Sequence, residues 1–301
     1  MDGIIMQLFN GMSLGSIMLL IALGLAITFG LMNVINMAHG ELIMIGAYMT
    51  YITQQIFSTF FPASFFDYYF ILSIPIAFLV SAGVGLLLEN ILIRHLYGRP
   101  LDSLLATWGI SLILQQIARI IFGAPNVAAT APAWLEGGIH LTESLIFPYK
   151  RLFIIFLVFA ILLSLYLYLY RTAAGRRMQA VTLNRGMASC LGVSTRKIDA
   201  RTFALGSGLA GIAGCALTLI GPIGPSIGTY YIVDSFMVVV LGGVGKLFGT
   251  VFGAISMGVF GTLFEYTTSA TMAKVLLFAL IIGFLQWKPA GLISVRTRSL
   301  D

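Results

Sequence analysis

Apolar residues run through this chain in long blocks, not in alternating or stripe-like patterns. The blocks lie at about 11–34, 41–61, 69–93, 101–122, 152–170, 202–221, 232–248, 250–266 and 272–287. Most approach the ~20 residues that a helix needs to cross ~30 Å of hydrocarbon. In lipid every backbone N–H and C=O must bond within the protein, which leaves helices or closed barrels. A barrel would show short alternating segments, so the pattern predicts helices. The expected fold is all-α: a polytopic transmembrane helical bundle of about eight or nine spans, with residues 1–301 forming a single transmembrane domain. The fourth block is the least apolar, with a partly re-entrant path as its alternative. Gly242, Gly243, Gly245 and Gly249 interrupt the seventh and eighth and blur their boundary.

Composition agrees with this reading. The chain is 59% hydrophobic and 9% charged, with a mean hydropathy of +0.99, whereas a soluble domain carries about 25% charged residues. Charge also sets topology, because basic residues collect on the cytoplasmic side. Segment 171–201 holds Arg171, Arg176, Arg177, Arg185, Arg196, Lys197 and Arg201 against one acid, Asp199. With that segment cytoplasmic, alternation brings Arg94, Arg99, Lys246, Lys288, Arg296 and Arg298 to the same side. Of the 17 basic residues only Arg119, Lys150, Arg151 and Lys274 face the other way. The N-terminus is then external and the C-terminus cytoplasmic. The net charge of +6 follows from topology and needs no nucleic-acid partner. No Lys or Arg precedes Arg94, so the basic leader of a signal peptide is missing, and Leu14–Leu31 reads as a retained helix.

Two connections are long. The external one, about 123–151, carries Pro125, Pro132, Pro148, Gly137 and Gly138, which deny it a continuous helix; Trp134 and Tyr149 suit an interface. The other, about 171–201, is basic and includes a short amphipathic helix around Thr182–Leu191. No internal repeat stands out. Gly206, Ala210 and Gly214 recur at i, i+4, i+8, and Gly249 and Gly253 repeat the interval. Such spacing lets helix backbones approach closely, within one subunit or across a dimer seam. Cys190 falls in a hydrophilic segment and Cys215 in an apolar one, so neither a disulfide nor a zinc site is expected.

Catalytic and nucleotide-binding signatures fail. His39 and Glu41, in Ala-His-Gly-Glu, lack the spacing of two metal ligands on one helix face. Gly242-Gly243-Val244-Gly245-Lys246 is similar to a phosphate-binding loop, but Val240 stands at its first glycine and Leu247 at its Ser/Thr. Any ATP-driven step therefore belongs to another polypeptide, and no cofactor or metal is expected on this one.

Polar residues inside the blocks are the candidate chemistry. A charge inside lipid costs about 2.5–3.5 kcal/mol on insertion scales. Glu41 opens the second block after Asn36 and His39. Either it is a first-turn charge favoured by the helix dipole near the cytoplasmic interface, or Asn36, His39 and Glu41 line the mouth of a polar path. In the fourth block Trp108, Ser111 and Gln115 are spaced i, i+3, i+7 on one face, with Thr107 beside it and Gln116 one residue off. That face either packs against polar partners or lines water. Asp234 and Glu265 read as charges near the external interface.

Five ordered stretches resemble permeases of the branched-chain amino-acid type of ABC transporter. They are Gly30-Leu-Met-Asn-Val-Ile-Asn-Met-Ala-His-Gly-Glu41 with Met44-Ile-Gly-Ala-Tyr48; Gly175-Arg-Arg through Ala188-Ser-Cys-Leu-Gly-Val193; Leu205-Gly-Ser-Gly-Leu-Ala-Gly-Ile-Ala-Gly214; Val240-Leu-Gly-Gly-Val-Gly245; and Lys288-Pro-Ala-Gly-Leu292. The resemblance covers nearly the whole chain. Lys246 departs from the small residue expected there. Within that family, Ala26–Met32, Thr107–Gln116, Ile121–Val127 and Ala131–Leu135 resemble the urea permease branch.

The resemblance implies a permease subunit of an importer in the bacterial inner membrane. It implies a second permease forming a heterodimer, two ATPase subunits that alone bind ATP and magnesium, and a periplasmic binding protein. The 171–201 loop would then carry the helix that couples to the ATPase, through Thr182, Asn184, Arg185, Met187 and Leu191. Asn36, His39, Glu41, Thr107, Trp108, Ser111 and Gln115 would line the solute path. Urea or a short amide is the expected solute, and branched-chain amino acids are the alternative. A stand-alone channel or secondary transporter is the other class considered, and the lack of an acid clearly at mid-membrane argues against proton coupling.

Overall fold

The structure is a computed structural model that describes residues 2–32, 34–142 and 145–293. Asn33, Arg296 and Arg298, used above for motif and charge, lie outside the described residues. Nine long helices answer the nine apolar blocks: α1 (Asp2–Met32), α2 (His39–Phe60), α3 (Tyr69–Ile91), α4 (Pro100–Phe122), α5 (Tyr149–Arg171), α8 (Thr195–Leu217), α9 (Ile227–Gly242), α10 (Leu247–Thr267) and α11 (Ala270–Trp287). Two short ones, α6 (Ala173–Leu183) and α7 (Arg185–Cys190), occupy the basic connection.

Among the described residues, seven helices are long and apolar enough to cross a bilayer. This is fewer than the eight or nine spans expected, and the two exceptions are informative. The 22 residues of α2 include His39, Glu41, Thr50, Thr53, Gln54 and Gln55. With 16 residues, α9 extends only about 24 Å at 1.5 Å per residue. The blurred boundary between α9 and α10 resolves into a tight turn, in which Gly243 (φ 100°) and Gly245 (φ 78°) adopt left-handed backbone.

The all-α expectation needs one correction. The 123–151 connection contains an antiparallel hairpin, β1 (Gly138–Thr142) and β2 (Leu145–Pro148), with Gly138 opposite Pro148 and His140 opposite Ile146. The rest of that connection is tied to the bundle. Val127 and Ile223 exchange backbone hydrogen bonds of 2.8 Å. Ala133 N–H donates to Asp67 Oδ1 at 2.8 Å, and the Trp134 indole donates to the Asp67 carbonyl at 3.1 Å.

Helix α8 is the centre of the bundle, packed against α1, α2 and α3, while α10 packs along α1. Small residues make these contacts possible. A Cβ on Gly46 would strike the Gly211 backbone, and one on Gly214 would strike the Ile43 carbonyl. The Gly206–Ala210–Gly214 stripe thus serves packing within this subunit.

Gly214→Val should therefore destabilise the bundle by about 1–3 kcal/mol or more through overpacking. Gly83, which has nothing within 4 Å of its would-be Cβ, supplies the control Gly83→Ala. Thermal unfolding in detergent should show a clear drop for Gly214→Val alone; equal melting of the two variants would refute the contact.

Candidate functional site

The site is built where two helices begin inside the bundle. Between α1 and α2 the chain is non-helical from Val34 to Ala38, yet Val34, Asn36 and Ala38 are buried. Irregular backbone at such depth must be satisfied by protein or line a cavity. Here side chains satisfy part of it: Asn36 Oδ1 accepts from Ala38 N–H at 3.0 Å, and Thr107 Oγ1 accepts from Met37 N–H at 3.0 Å. Helix α9 starts beside α2, since a Cβ on Gly40 would touch the Gly228 backbone. Two positive helix ends therefore meet at one place.

Glu41 sits at that place, in the first turn of α2, with 1% of its surface exposed. Its Oε1 accepts from Ser111 Oγ at 2.9 Å and from Gln115 Nε2 at 2.8 Å. Gln115 Nε2 also approaches Thr229 Oγ1 of α9 at 3.1 Å. Ser111 and Gln115 occupy the middle of α4, and the His39 ring donates from Nε2 to the carbonyl of Ile21, well inside α1, at 3.2 Å. Glu41 is therefore halfway through the bundle. This corrects the interface placement of Glu41 and the expectation that no acid lies at mid-depth.

Among the described residues, four buried atoms in this stretch have no hydrogen-bond partner: Glu41 Oε2, Asn36 Nδ2, His39 Nδ1 and Tyr48 Oη. An unpaired buried polar group costs about 1–3 kcal/mol, more when charged. Such an arrangement can accept N–H donors at Glu41 and offer one at Asn36.

On α4 the inward stripe is Ser103, Thr107, Ser111 and Gln115, spaced i, i+4, i+8, i+12, with Ala118 below. Trp108 belongs to a different face and is 54% exposed. The i, i+3, i+7 face of the sequence analysis is thus rotated by one residue: its polar members are buried and its tryptophan is not. Thr229 is exposed, so the polar cluster reaches the chain's surface between α4 and α9. Thr229 was missed by the sequence reading because it opens an apolar run, with Ile232, Val233 and Phe236 at i+3, i+4 and i+7. Asp234 is not a solvated charge either, since its buried carboxylate pairs with Lys274 Nζ at 3.2 Å.

In the basic connection the expected single helix over Thr182–Leu191 is broken. Asn184 is extended (φ −155°, ψ 100°) and caps α7, its Oδ1 accepting from Met187 N–H at 2.9 Å. Thr182 Oγ1 turns back to the Met178 carbonyl at 3.0 Å. Leu183, Met187 and Leu191 are 87%, 60% and 77% exposed, and Arg185, its side chain 48% exposed, pairs with the buried Asp199 of α8.

One motif passed over by the sequence reading is Gly11-Met12-Ser13-Leu14-Gly15, which has the spacing of a nucleophile elbow. It lies within the continuous helix α1 and lacks the strand–turn–helix that presents such a serine.

A helical bundle with membrane-length spans and a buried polar cluster at mid-depth is the architecture of a multi-pass membrane transport protein. The comparisons make the family definite. Residues 7–285 match the family model described as branched-chain amino acid transport system, permease component, and the chain belongs to that family. It is 28% identical over 293 residues to BraD of Pseudomonas aeruginosa, a high-affinity branched-chain amino acid transport system permease protein, covering 95% of this chain and 94% of that one. It is 29% identical over 294 residues to the permease protein LivH of Escherichia coli K12, again covering 95% and 94%. LivM of the same organism, also a permease protein of that name, is 27% identical over 304 residues, covering 93% of this chain and 68% of LivM. No solved structure gives a significant match.

Gln115→Ala removes a donor from Glu41 and should cost about 1–3 kcal/mol, while Trp108→Ala should stay within about 0.5 kcal/mol. Thermal unfolding of the two purified variants checks this. A Trp108 variant as unstable as the Gln115 variant would mean that α4 is not held by its polar stripe.

Proposed function

We propose that this chain is the membrane-spanning permease subunit of an ABC importer in the bacterial inner membrane, and that it carries urea or a short amide inward. One observation carries the solute reading: the Thr107–Gln116 stretch, which resembles the urea permease branch, sends Thr107, Ser111 and Gln115 to the buried Asn36–Glu41 segment. Urea is small, planar and neutral, with four N–H donors and one carbonyl. Among the described residues, Glu41 Oε2 is an acceptor without a partner and Asn36 Nδ2, five residues earlier in the chain, a donor without one.

The relatives' names favour a second reading. BraD, LivH and LivM are named for branched-chain amino acids, none for urea, and the matches run nearly the length of this chain. In that case Glu41 would receive the solute's ammonium group.

In either reading the energy comes from two partner ATPase subunits, which bind ATP and magnesium; the permease itself uses no cofactor. A periplasmic binding protein delivers the solute. The basic 171–201 segment faces the cytoplasm, with the N-terminus external. A second permease completes the path. LivH and LivM, two permease proteins of one named system, both align with this chain, and the polar cluster opens at Thr229 onto a surface that a second subunit would cover. Exposed Leu183, Met187 and Leu191 support α6–α7 as the element that meets the ATPase.

Deleting the gene should abolish uptake of labelled urea at low concentration and leave leucine uptake unchanged. Re-expression of the wild-type chain should restore urea uptake, and Glu41→Ala should not. Loss of leucine uptake with intact urea uptake would assign the solute to the second reading.

A further inference from the structure

Arg185 ties together parts of the molecule that are far apart in sequence. Its guanidinium pairs with the Asp199 carboxylate at the foot of α8. The same guanidinium carbon lies 5.2 Å from the centre of the Tyr97 ring, within the range of a cation–π contact. Tyr97 donates its hydroxyl to Glu89 Oε1, near the end of α3, at 3.2 Å. Burial, then the Asp199 and Glu89 carboxylates, hold the Tyr97 phenol far above its ordinary range, so it stays protonated as a donor. These four groups, with Arg94, His95 and Arg196, surround a cavity of about 470 Å³.

One end of this link is buried and the other is not: the Arg185 side chain is 48% exposed. Exposed pairs contribute little, but the Asp199 side chain is 5% exposed, and breaking its pair would leave a buried charge uncompensated. Glu89 is 1% exposed, and its Oε2 has no partner. Tyr97 stands three residues before α4, the helix whose Ser111 and Gln115 hold Glu41. The chain of contacts thus runs from α7 to the roots of α8, α3 and α4.

We propose that Arg185 is a positioning residue, its guanidinium held by Asp199 and Tyr97, that carries displacement of α7 to α8 through Asp199 and to α3 and α4 through Tyr97 and Glu89. This rests on the reading of α7 as part of the coupling element. Leu183, Met187 and Leu191 are left to meet the ATPase, while the Arg185 guanidinium is committed to Asp199 and Tyr97. The pull on the root of α4 shifts the donors of Glu41, so nucleotide-driven motion reaches the polar cluster.

The test uses the complete transporter in proteoliposomes, with complex recovery, ATP hydrolysis and solute uptake read from one preparation. Asp199→Asn weakens the pair, and Tyr97→Phe keeps the ring but removes the bond to Glu89. Both should assemble and hydrolyse ATP at near wild-type rates, while uptake per ATP falls roughly 2- to 30-fold, the span that substitutions along a coupling network produce. Arg185→Lys, which keeps the charge and loses the fork, should fall between wild type and Arg185→Ala. Unchanged uptake per ATP in Asp199→Asn and Tyr97→Phe overturns the proposal. So does loss of the assembled complex in these two variants, because the residues would then seat the ATPase. The double variant Leu183→Asp/Met187→Asp tests the underlying reading separately: if it leaves assembly and hydrolysis untouched, α7 is not part of the coupling element, whatever the other variants show.

Discussion

A carboxylate buried halfway through a membrane bundle must be held by donors that the protein supplies, and here that requirement organises the fold. Glu41 lies where the positive ends of α2 and α9 meet, so two helix dipoles favour its charge. Ser111 and Gln115 of α4 supply the hydrogen bonds. To bring α2 to this point the chain leaves helical geometry at residues 34–38 and stays buried while doing so. Discontinuous helices whose ends meet near the midplane recur in membrane transporters, where such ends bind solutes or ions.

The helices around Glu41 are attached in two different ways. Glycine contacts press α2 against α8, with backbone meeting backbone and no room for a Cβ. Such an interface resists sliding, because any relative shift drives backbone into backbone. By contrast α4 offers the bundle Ser103, Thr107, Ser111, Gln115 and Ala118, with Phe122 stacked on Tyr48 at its end, and most of its other large apolar side chains point outward. Along its middle the hold is made of hydrogen bonds, which can be exchanged for bonds to a solute or to water at modest net cost. A packed frame beside a hydrogen-bonded helix suits a path that must open and close. Arg185 and Tyr97 connect the same helix to the exposed α7.

Much of this was legible in the sequence, and the reasons differ by feature. All nine apolar blocks gave helices, because block length near 20 residues is a strong signal in a chain with so few charges. The motif Gly30–Glu41 pointed to Asn36, His39 and Glu41, and all three are buried together. Depth was not legible. Counting from the start of a block put Glu41 at an interface, because nothing local shows that residues 34–38 climb back into the bundle. The face of α4 was misread by one residue, since Trp108 and Thr107 are adjacent and only tertiary contact decides which turns inward. The break at Asn184 had a local signal that was passed over, because Asn is a strong helix cap. The pairing of Arg185 with Asp199 and Tyr97 depends on how α3, α7 and α8 converge, which no spacing along the chain encodes.

The central claim is that the groups around Glu41 face the solute path during transport. Cysteine substitution tests it in the assembled importer, with Cys190 replaced by Ser and the buried Cys215 kept. Ser111→Cys should react with a small, water-soluble thiosulfonate, and urea and ATP turnover should both alter the rate. Leu112→Cys, one residue away on the apolar face, should show no such response. A cysteine at 111 that stays unreactive in every nucleotide state, or whose rate ignores solute and ATP alike, would contradict the account.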